Sequence, residues 1–246
     1  MPRFLLIALE SPLLAFGGEM VDAHGVATDF PLASTLTGLI ANALGYDRSE
    51  RDRHAALQSR LRFAARIERE GRRLVDFQTV KLQKSDRGWT TRGTPEGRDG
   101  GAATYNSPHI RYREYDADKR VVIALTLEPA EISPRLGDIA NAVQAPARPL
   151  SIGRKTCLPS TYLFAGFIEA DTLSQAIILA PWDEPPLGPV RILLPSSEPA
   201  LATDESTLVT DERDWRAGIH SGGRRVLLRT LPETAFPSVQ SERIPA

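Results

Sequence analysis

The chain has 246 residues and a formal net charge of −1, set by 30 basic against 31 acidic side chains. Apolar residues make up 41% and charged residues 25%, ordinary values for a globular protein, and no apolar run approaches the length of a membrane span. The single cysteine, Cys157, excludes an internal disulfide and fits a reducing cytosol, so a cytoplasmic location is expected. The opening "MPRFLLIALESP" is too short and too soon polar to read as a secretory signal. Near-neutral net charge hides an uneven distribution. From Arg51 to Arg113 there are fifteen Lys and Arg against seven Asp and Glu, whereas from Trp182 onward ten acidic residues face seven basic ones. Such asymmetry points to one face for a polyanion, or to a solvated charged surface.

In chain order, "RFLLIALE" (Arg3 to Glu10) is a continuous apolar run that predicts a strand buried on both faces. After a long irregular loop, Ser34 is predicted as an N-cap. Leu36, Leu39, Ile40, Ala43 and Leu44 then share one helical face, and Gly45 supplies the stop. The N-terminus of that helix is expected to present N–H groups to an anion. "SERDRHAALQSRL" predicts a second, charged helix. "RFAARIEREGRRLVDFQTV" predicts two strands turning at Glu70 and Gly71. Between Lys81 and Pro108 the sequence turns glycine-rich and loses apolar periodicity, as a functional flap or a disordered insertion would. "HIRYREYD" and "KRVVIALTLE" predict strands, Ser133 and Pro134 a helix start, "YLFAGFIEA" a strand, and Asp171 to Ala180 a helix. Short strands ("VRILLP", "TLVT", "RRVLLRTL") and a frayed tail follow. This order predicts an α+β fold with a ferredoxin-like palm over residues 1–180, an inserted β-arm at about 81–108, and a small β-rich extension over 181–246.

Chemistry motifs are scarce. There is no G-x-S-x-G elbow, no P-loop and no G-x-G-x-x-G after a strand. The four histidines lack metal-ligand spacing and one cysteine cannot build a zinc site, so neither metal nor cofactor is expected. Cys157 reads as a packed thiol. A metal-free ribonuclease needs only a base, an acid and a cation, and His109 with Tyr105, Tyr112 and Lys81 keeps that alternative open. Single-stranded nucleic acid instead asks for cations spaced along phosphates and flat side chains for bases. Lys81, Lys84, Arg87, Arg92 and Arg98 interleave with Trp89, and Arg111 and Arg113 flank Tyr112. In "PARPLSIGRKTCLPS", Arg154 and Lys155 follow Gly153, which would let backbone approach a phosphate.

Five segments together carry a resemblance: "LESPLLAFGG", "DFPLASTLTGLIANALG", "LVDFQTVKL", "RYREYDADKRVVIAL" and "PARPLSIGRKTCLPS". Over roughly residues 3–160 the chain resembles the CasD family of subunits of the type I-E CRISPR surveillance complex, Cascade, in the RAMP superfamily. It departs from better-known members in "LLAFG", where they carry a polar, tryptophan-containing loop, and in "PLAS", where they carry "PTKS"; Ala33 there removes one cation. The resemblance implies a palm with a thumb, the latter carrying Trp89, Arg92 and Arg98. It implies a non-catalytic subunit that holds the 5′ handle of the CRISPR RNA, caps the backbone filament, contacts the backbone and large subunits, and lies near target DNA. Carried onto this sequence, the RNA contacts are Ser34, Thr35, Lys81, Arg111, Arg113, Gly153, Arg154 and Lys155, with Cys157 and Leu158 as a buried foot. Relatives of the type I-C branch cut repeat RNA themselves, which is the competing expectation.

Overall fold

The structure is a computed structural model that describes residues 1–18, 23–81, 88–89, 95–96 and 108–237. Its frame is a seven-stranded antiparallel sheet. Strands β1 (Arg3–Glu10), β4 (Leu61–Arg69), β9 (Arg120–Leu127), β10 (Phe164–Glu169), β11 (Val190–Pro195), β12 (Glu205–Asp214) and β13 (Ile219–Leu231) lie in the order β10-β1-β9-β4-β11-β13-β12. The continuous apolar runs of β1 and β9 follow from this placement, because each is a central strand with both faces covered. Leu5, Ile7 and Leu9 of β1, with Val121, Ile123 and Leu125 of β9, enter one core. Phe4 and Leu6, with Val122 and Ala124, enter the other. Helices α1 (Ala33–Ala43) and α3 (Leu136–Gln144) cover the first face, with Leu57 of α2 (Arg51–Arg60) at its border, and α4 (Leu173–Leu179) covers the second. Side chains thus alternate into two apolar layers, the dominant driving force for the fold.

Reading β1, α1, β4, β9, α3 and β10 in chain order gives strand–helix–strand–strand–helix–strand, with these four strands arranged last, first, third, second across the sheet. The C-terminal strands continue the same sheet. β11 adds to the open side of β4 through Ile192 opposite Arg66 and Leu193 opposite Ala65, and β13 and β12 follow outward. Arg66 faces the second layer with no exposed surface. Its guanidinium donates to the carbonyls of Ile177, Ala180 and Pro181 at 2.7–3.0 Å, pairs with Glu68 and lies 3.9 Å over the Trp182 ring. One buried cation therefore closes the C-terminal end of α4 by taking its orphan carbonyls.

A second sheet carries the arm. β5 (Arg72–Val80) and β8 (His109–Ala117) pair along a nine-residue antiparallel ladder, and the short strands β2 (Leu13–Leu14) and β3 (His24–Gly25) join β8. The paired stem thus reaches back to Arg72 and on to Ala117, beyond the Lys81–Pro108 span suggested by composition. Further out, β6 (Gly88–Trp89) pairs with β7 (Pro95–Glu96); Arg92 and Arg98 lie outside the described residues, as does the tail after residue 237.

The helix starts differ from the sequence reading. Leu32, not Ser34, is the N-cap of α1, and Ser34 is buried in the first turn. The first N–H of the helix, that of Ala33, is taken by Asp211 Oδ2 at 3.0 Å, a carboxylate contributed from β12. An acidic side chain of the same fold therefore occupies the place expected for an anion. Arg135, not Ser133, caps α3, because Asp138 reaches back to the Arg135 N–H at 2.7 Å while Ser133 gives its carbonyl to Arg60. α4 starts at Leu173, with Thr172 Oγ1 accepting from Gln175 N at 3.1 Å.

Candidate nucleic-acid interface

The segment Pro146–Ser160 folds into a tight turn. Ile152 N donates to Cys157 O at 2.7 Å and Cys157 N to Arg154 O at 2.9 Å. Cys157 packs with Ala15 and Tyr115 in a small buried cluster, and burial pushes its thiol above the ordinary range. Leu158, expected beside it in the buried foot, is instead 57% exposed and lines open space. Gly153 adopts φ +88°, and a β-carbon there would lie 1.7 Å from Ala15 O. Glycine is required here by the close passage of the Ala15–Phe16 backbone. The clearance read from the sequence as room for a phosphate is taken by the protein itself.

Around this turn runs a cleft of about 840 Å³. Its walls are the loop Phe16–Gly18, the first two turns of α1 (Ser34, Thr35, Gly38), the segment Arg148–Lys155, and the β12–β13 hairpin. Thr35 Oγ1 donates to Phe16 O at 2.8 Å, and Asn42 Nδ2 donates to Pro149 O at 3.0 Å, so α1 fixes both neighbouring walls. Ser34, Thr35, Gly153, Arg154 and Lys155 therefore meet in one place although the sequence separates them. Arg154 is a strut as well as a cation. Its guanidinium donates to Glu114 O at 2.6 Å and Gly25 O at 2.9 Å and lies 4.6 Å over the Tyr115 ring. Lys155 is exposed. Arg113 reaches the same spot from β8: a β-carbon on Gly25 would lie 2.5 Å from Arg113 Nη1 and 3.1 Å from Arg154 Nη2. Lys81 and Arg111 are exposed farther along the arm, outside the cleft.

A family model described as CRISPR-associated protein (Cas_Cas5) matches residues 4–227. The chain belongs to this Cas5 family of CRISPR-associated proteins. It is 26% identical over 187 residues to "CRISPR system Cascade subunit CasD" of Escherichia coli (strain K12), covering 72% of this chain and 77% of that protein. Among solved structures it is similar to a chain of a "CRISPR RNA-guided surveillance complex", with TM-score 0.66, 23% identity and coverage of 97% and 95% of the two chains. A second, "Crystal structure of Cas protein", gives TM-score 0.61, 24% identity and coverage of 96% and 98%. These structural likenesses show that the fold extends over nearly the whole chain.

In this Cas5-family chain part of the cation excess of residues 51–113 is taken up by ion pairs within the fold. Arg53 pairs with Glu50, Arg62 with Glu128, Arg66 with Glu68, Arg69 with Glu10, and Arg73 with Asp29, Glu114 and Asp116. Glu10 shows the electrostatic consequence. Burial raises its pKa, but hydrogen bonds from Arg69 and Arg120 outweigh that and hold the carboxyl below its ordinary value. The interleaving of arginine and tyrosine in "RYREY" also changes meaning on a strand, since neighbouring side chains point to opposite faces. Tyr112 stacks on His24 at 4.6 Å and approaches Phe77 at 5.4 Å, opposite the face shared by Arg111 and Arg113. Conversely, the sequence reading assigned no role to Arg148, Arg213, Trp215 or His220, all of which line the cleft. The only local signal for the last three is "RDWRAGIH", a tryptophan between arginines at a turn.

Proposed function

We propose that this chain is a non-catalytic RNA-binding subunit of a Cascade-type CRISPR surveillance complex, in which the cleft holds the 5′ handle of the CRISPR RNA. The observation that carries this reading is the convergence of the Gly153–Lys155 turn, the start of α1 and the Phe16–Gly18 loop around one open cleft in a Cas5-family fold. The similarity to the Cascade subunit CasD supports the type I-E assignment. The palm is read as ferredoxin-like from its strand–helix–strand–strand–helix–strand order and its last-first-third-second sheet.

The physical roles follow from the geometry. Lys155 supplies an exposed, mobile charge to handle phosphates, while Arg148, tied to Asp47 at 2.6 Å and to the carbonyls of Gly45 and Tyr46, offers a fixed one at the rim. Ser34 and Thr35 present backbone and hydroxyl groups on the cleft wall. Arg154 keeps the turn against β3 and β8, so the site is formed before RNA arrives and less ordering entropy is lost on binding. Arg113 connects the cleft to the arm, where Arg111 and Lys81 continue the path; the arm with Trp89, Arg92 and Arg98 is the proposed thumb beside the first spacer nucleotides. Backbone subunit, large subunit and, indirectly, target DNA are the proposed neighbours.

The test is a tagged pull-down from cells carrying the native operon and a CRISPR array, with the retained RNA sequenced. Uniform RNAs beginning with the repeat-derived handle, recovered with backbone and large subunits, are expected. Heterogeneous RNA or none would refute the assembly role, and cleavage of repeat RNA by the purified chain in EDTA would replace it with a nuclease.

A further inference from the structure

Among the described residues the buried arginines are engaged by the fold, Arg60 by the carbonyls of Pro129, Ile132, Ser133 and Pro134 and Arg66 by Glu68 and three carbonyls. In the C-terminal strands Arg224 pairs with Asp211 at 2.8 Å and Arg229 with Asp204 at 2.7 Å. Arg213, one turn of the hairpin away, is different. It is half-buried at the cleft wall, and among the described residues no carboxylate pairs with it. Among the described residues its side chain meets the Gly218 carbonyl at 2.9 Å and the Trp215 ring at 5.3 Å. Burial lowers its pKa, and the neighbouring charge of Arg48 lowers it further. A cation held this way costs stability unless an anion completes it.

The hairpin is nevertheless fixed with care. One side chain, Gln58 of α2, clamps it three times: Nε2 donates to Arg213 O at 3.1 Å, and Oε1 accepts from Arg213 N at 3.3 Å and from Trp215 Nε1 at 3.0 Å. His54 packs against the Trp215 ring at 4.7 Å, and Arg216 pairs with Asp52 at 2.7 Å. The edge of Trp215 meets Gly38 of α1, whose missing side chain leaves the cleft open beside it. These contacts fix the backbone and the ring beside a guanidinium that has no carboxylate partner at the cleft wall, which is how an anion site is preorganised.

We propose that Arg213, backed by Trp215 and clamped by Gln58, binds a backbone phosphate of single-stranded RNA, making the β12–β13 hairpin the third wall of the RNA site. This rests on the reading of the cleft as the handle site and deepens it by adding a C-terminal element. A free phosphate shares the chemistry, so inorganic phosphate serves as a competitor in the test.

The experiment measures binding of labelled handle RNA, and of an unrelated RNA of equal length, to the full-length chain across a salt series, alongside the melting temperature without RNA. For R213Q we expect about a tenfold loss of handle affinity and a slope of log K against log salt shallower by about 0.7. Its RNA-free melting temperature should be unchanged or higher, since the repulsion between Arg213 and the charge of Arg48 is removed. R213K should restore the slope. An unchanged slope in R213Q overturns the proposal, as does a lower melting temperature that Lys fails to rescue, which marks a purely structural arginine. Competition by inorganic phosphate as effective as by RNA, charge for charge, also overturns it. A wild-type chain that binds both RNAs equally weakly refutes the handle reading itself, a result distinct from all of these.

Discussion

The arm and the cleft are written in the same alphabet, arginines among aromatic rings and glycines, yet they fold to opposite effect. On β8 the pleat sorts the letters: Arg111 and Arg113 take one face, while Tyr112 joins His24 and Phe77 on the other. In the cleft, cations and rings come from segments remote in sequence and end side by side; Gln58 and Arg213 are 155 residues apart, and Ala33 and Asp211 are 178 apart. Adjacency along the chain therefore separates function on a strand, and only tertiary closure assembles it. The arm is also exposed along the whole of β5, whereas the cleft rests on a buried cluster of Ala15, Tyr115 and Cys157. Substitutions at the residues that hold the Gly153–Arg154 turn in place should cost stability, and those on the arm little.

The sharpest way to break that contrast is Gly153. Alanine there needs a left-handed backbone and a β-carbon within 1.7 Å of a carbonyl that belongs to the chain. G153A should lose about 3 kcal/mol of unfolding free energy in urea, and handle binding with it. Wild-type stability in G153A would mean that the Ala15–Phe16 backbone yields easily and that the cleft is not preformed.

A smaller effect separates Arg154 from its neighbour. R154A removes two hydrogen bonds from a charged donor to the carbonyls of Glu114 and Gly25, an expected loss of about 2 kcal/mol. K155A should leave stability unchanged and flatten the salt dependence of RNA binding by a slope of about 0.7. If the two variants lowered stability alike, or if R154A altered only the salt slope, the division between strut and exposed charge would be wrong.

Much of the frame was legible in the sequence because hydrophobic pattern is a local signal. The runs "RFLLIALE" and "RVVIAL" could only be strands covered on both faces, and β1 and β9 are. The first of the two strands read from "RFAARIEREGRRLVDFQTV" is β4, with Phe63, Ala65 and Ile67 in the first core. The helix starts were not legible, because the residues that decide them lie elsewhere: Asp211 takes the Ala33 N–H in place of a local serine, and Arg60 occupies the Ser133 carbonyl. The charge excess was visible, but not the part of it that the fold uses: Glu10, Asp116 and Glu128, brought in by the sheet and its turns, pair with arginines that composition leaves bare. "SIGRKTC" was recognisable as a special turn, but not that its glycine accommodates Ala15. The hairpin wall had no signal strong enough to find it, as Arg213 and Trp215 gain meaning only through Gln58 and the opposite helix.

The smallest expected effect tests the arm. Phe77 is 55% exposed and its main ring contact is Tyr112, directly across the ladder. F77A should cost only about 0.5 kcal/mol, the worth of one cross-strand aromatic pair, and should leave the RNA salt slope untouched because the β5 cation on that face, Arg73, is already paired with Asp29, Glu114 and Asp116. With partner subunits proposed as neighbours of this chain, the same variant should also reduce their recovery in the pull-down. A large loss of stability would instead show that the aromatic face closes on the chain itself. The arm would then belong with the cleft as a structural element, and the contrast between the two regions would collapse.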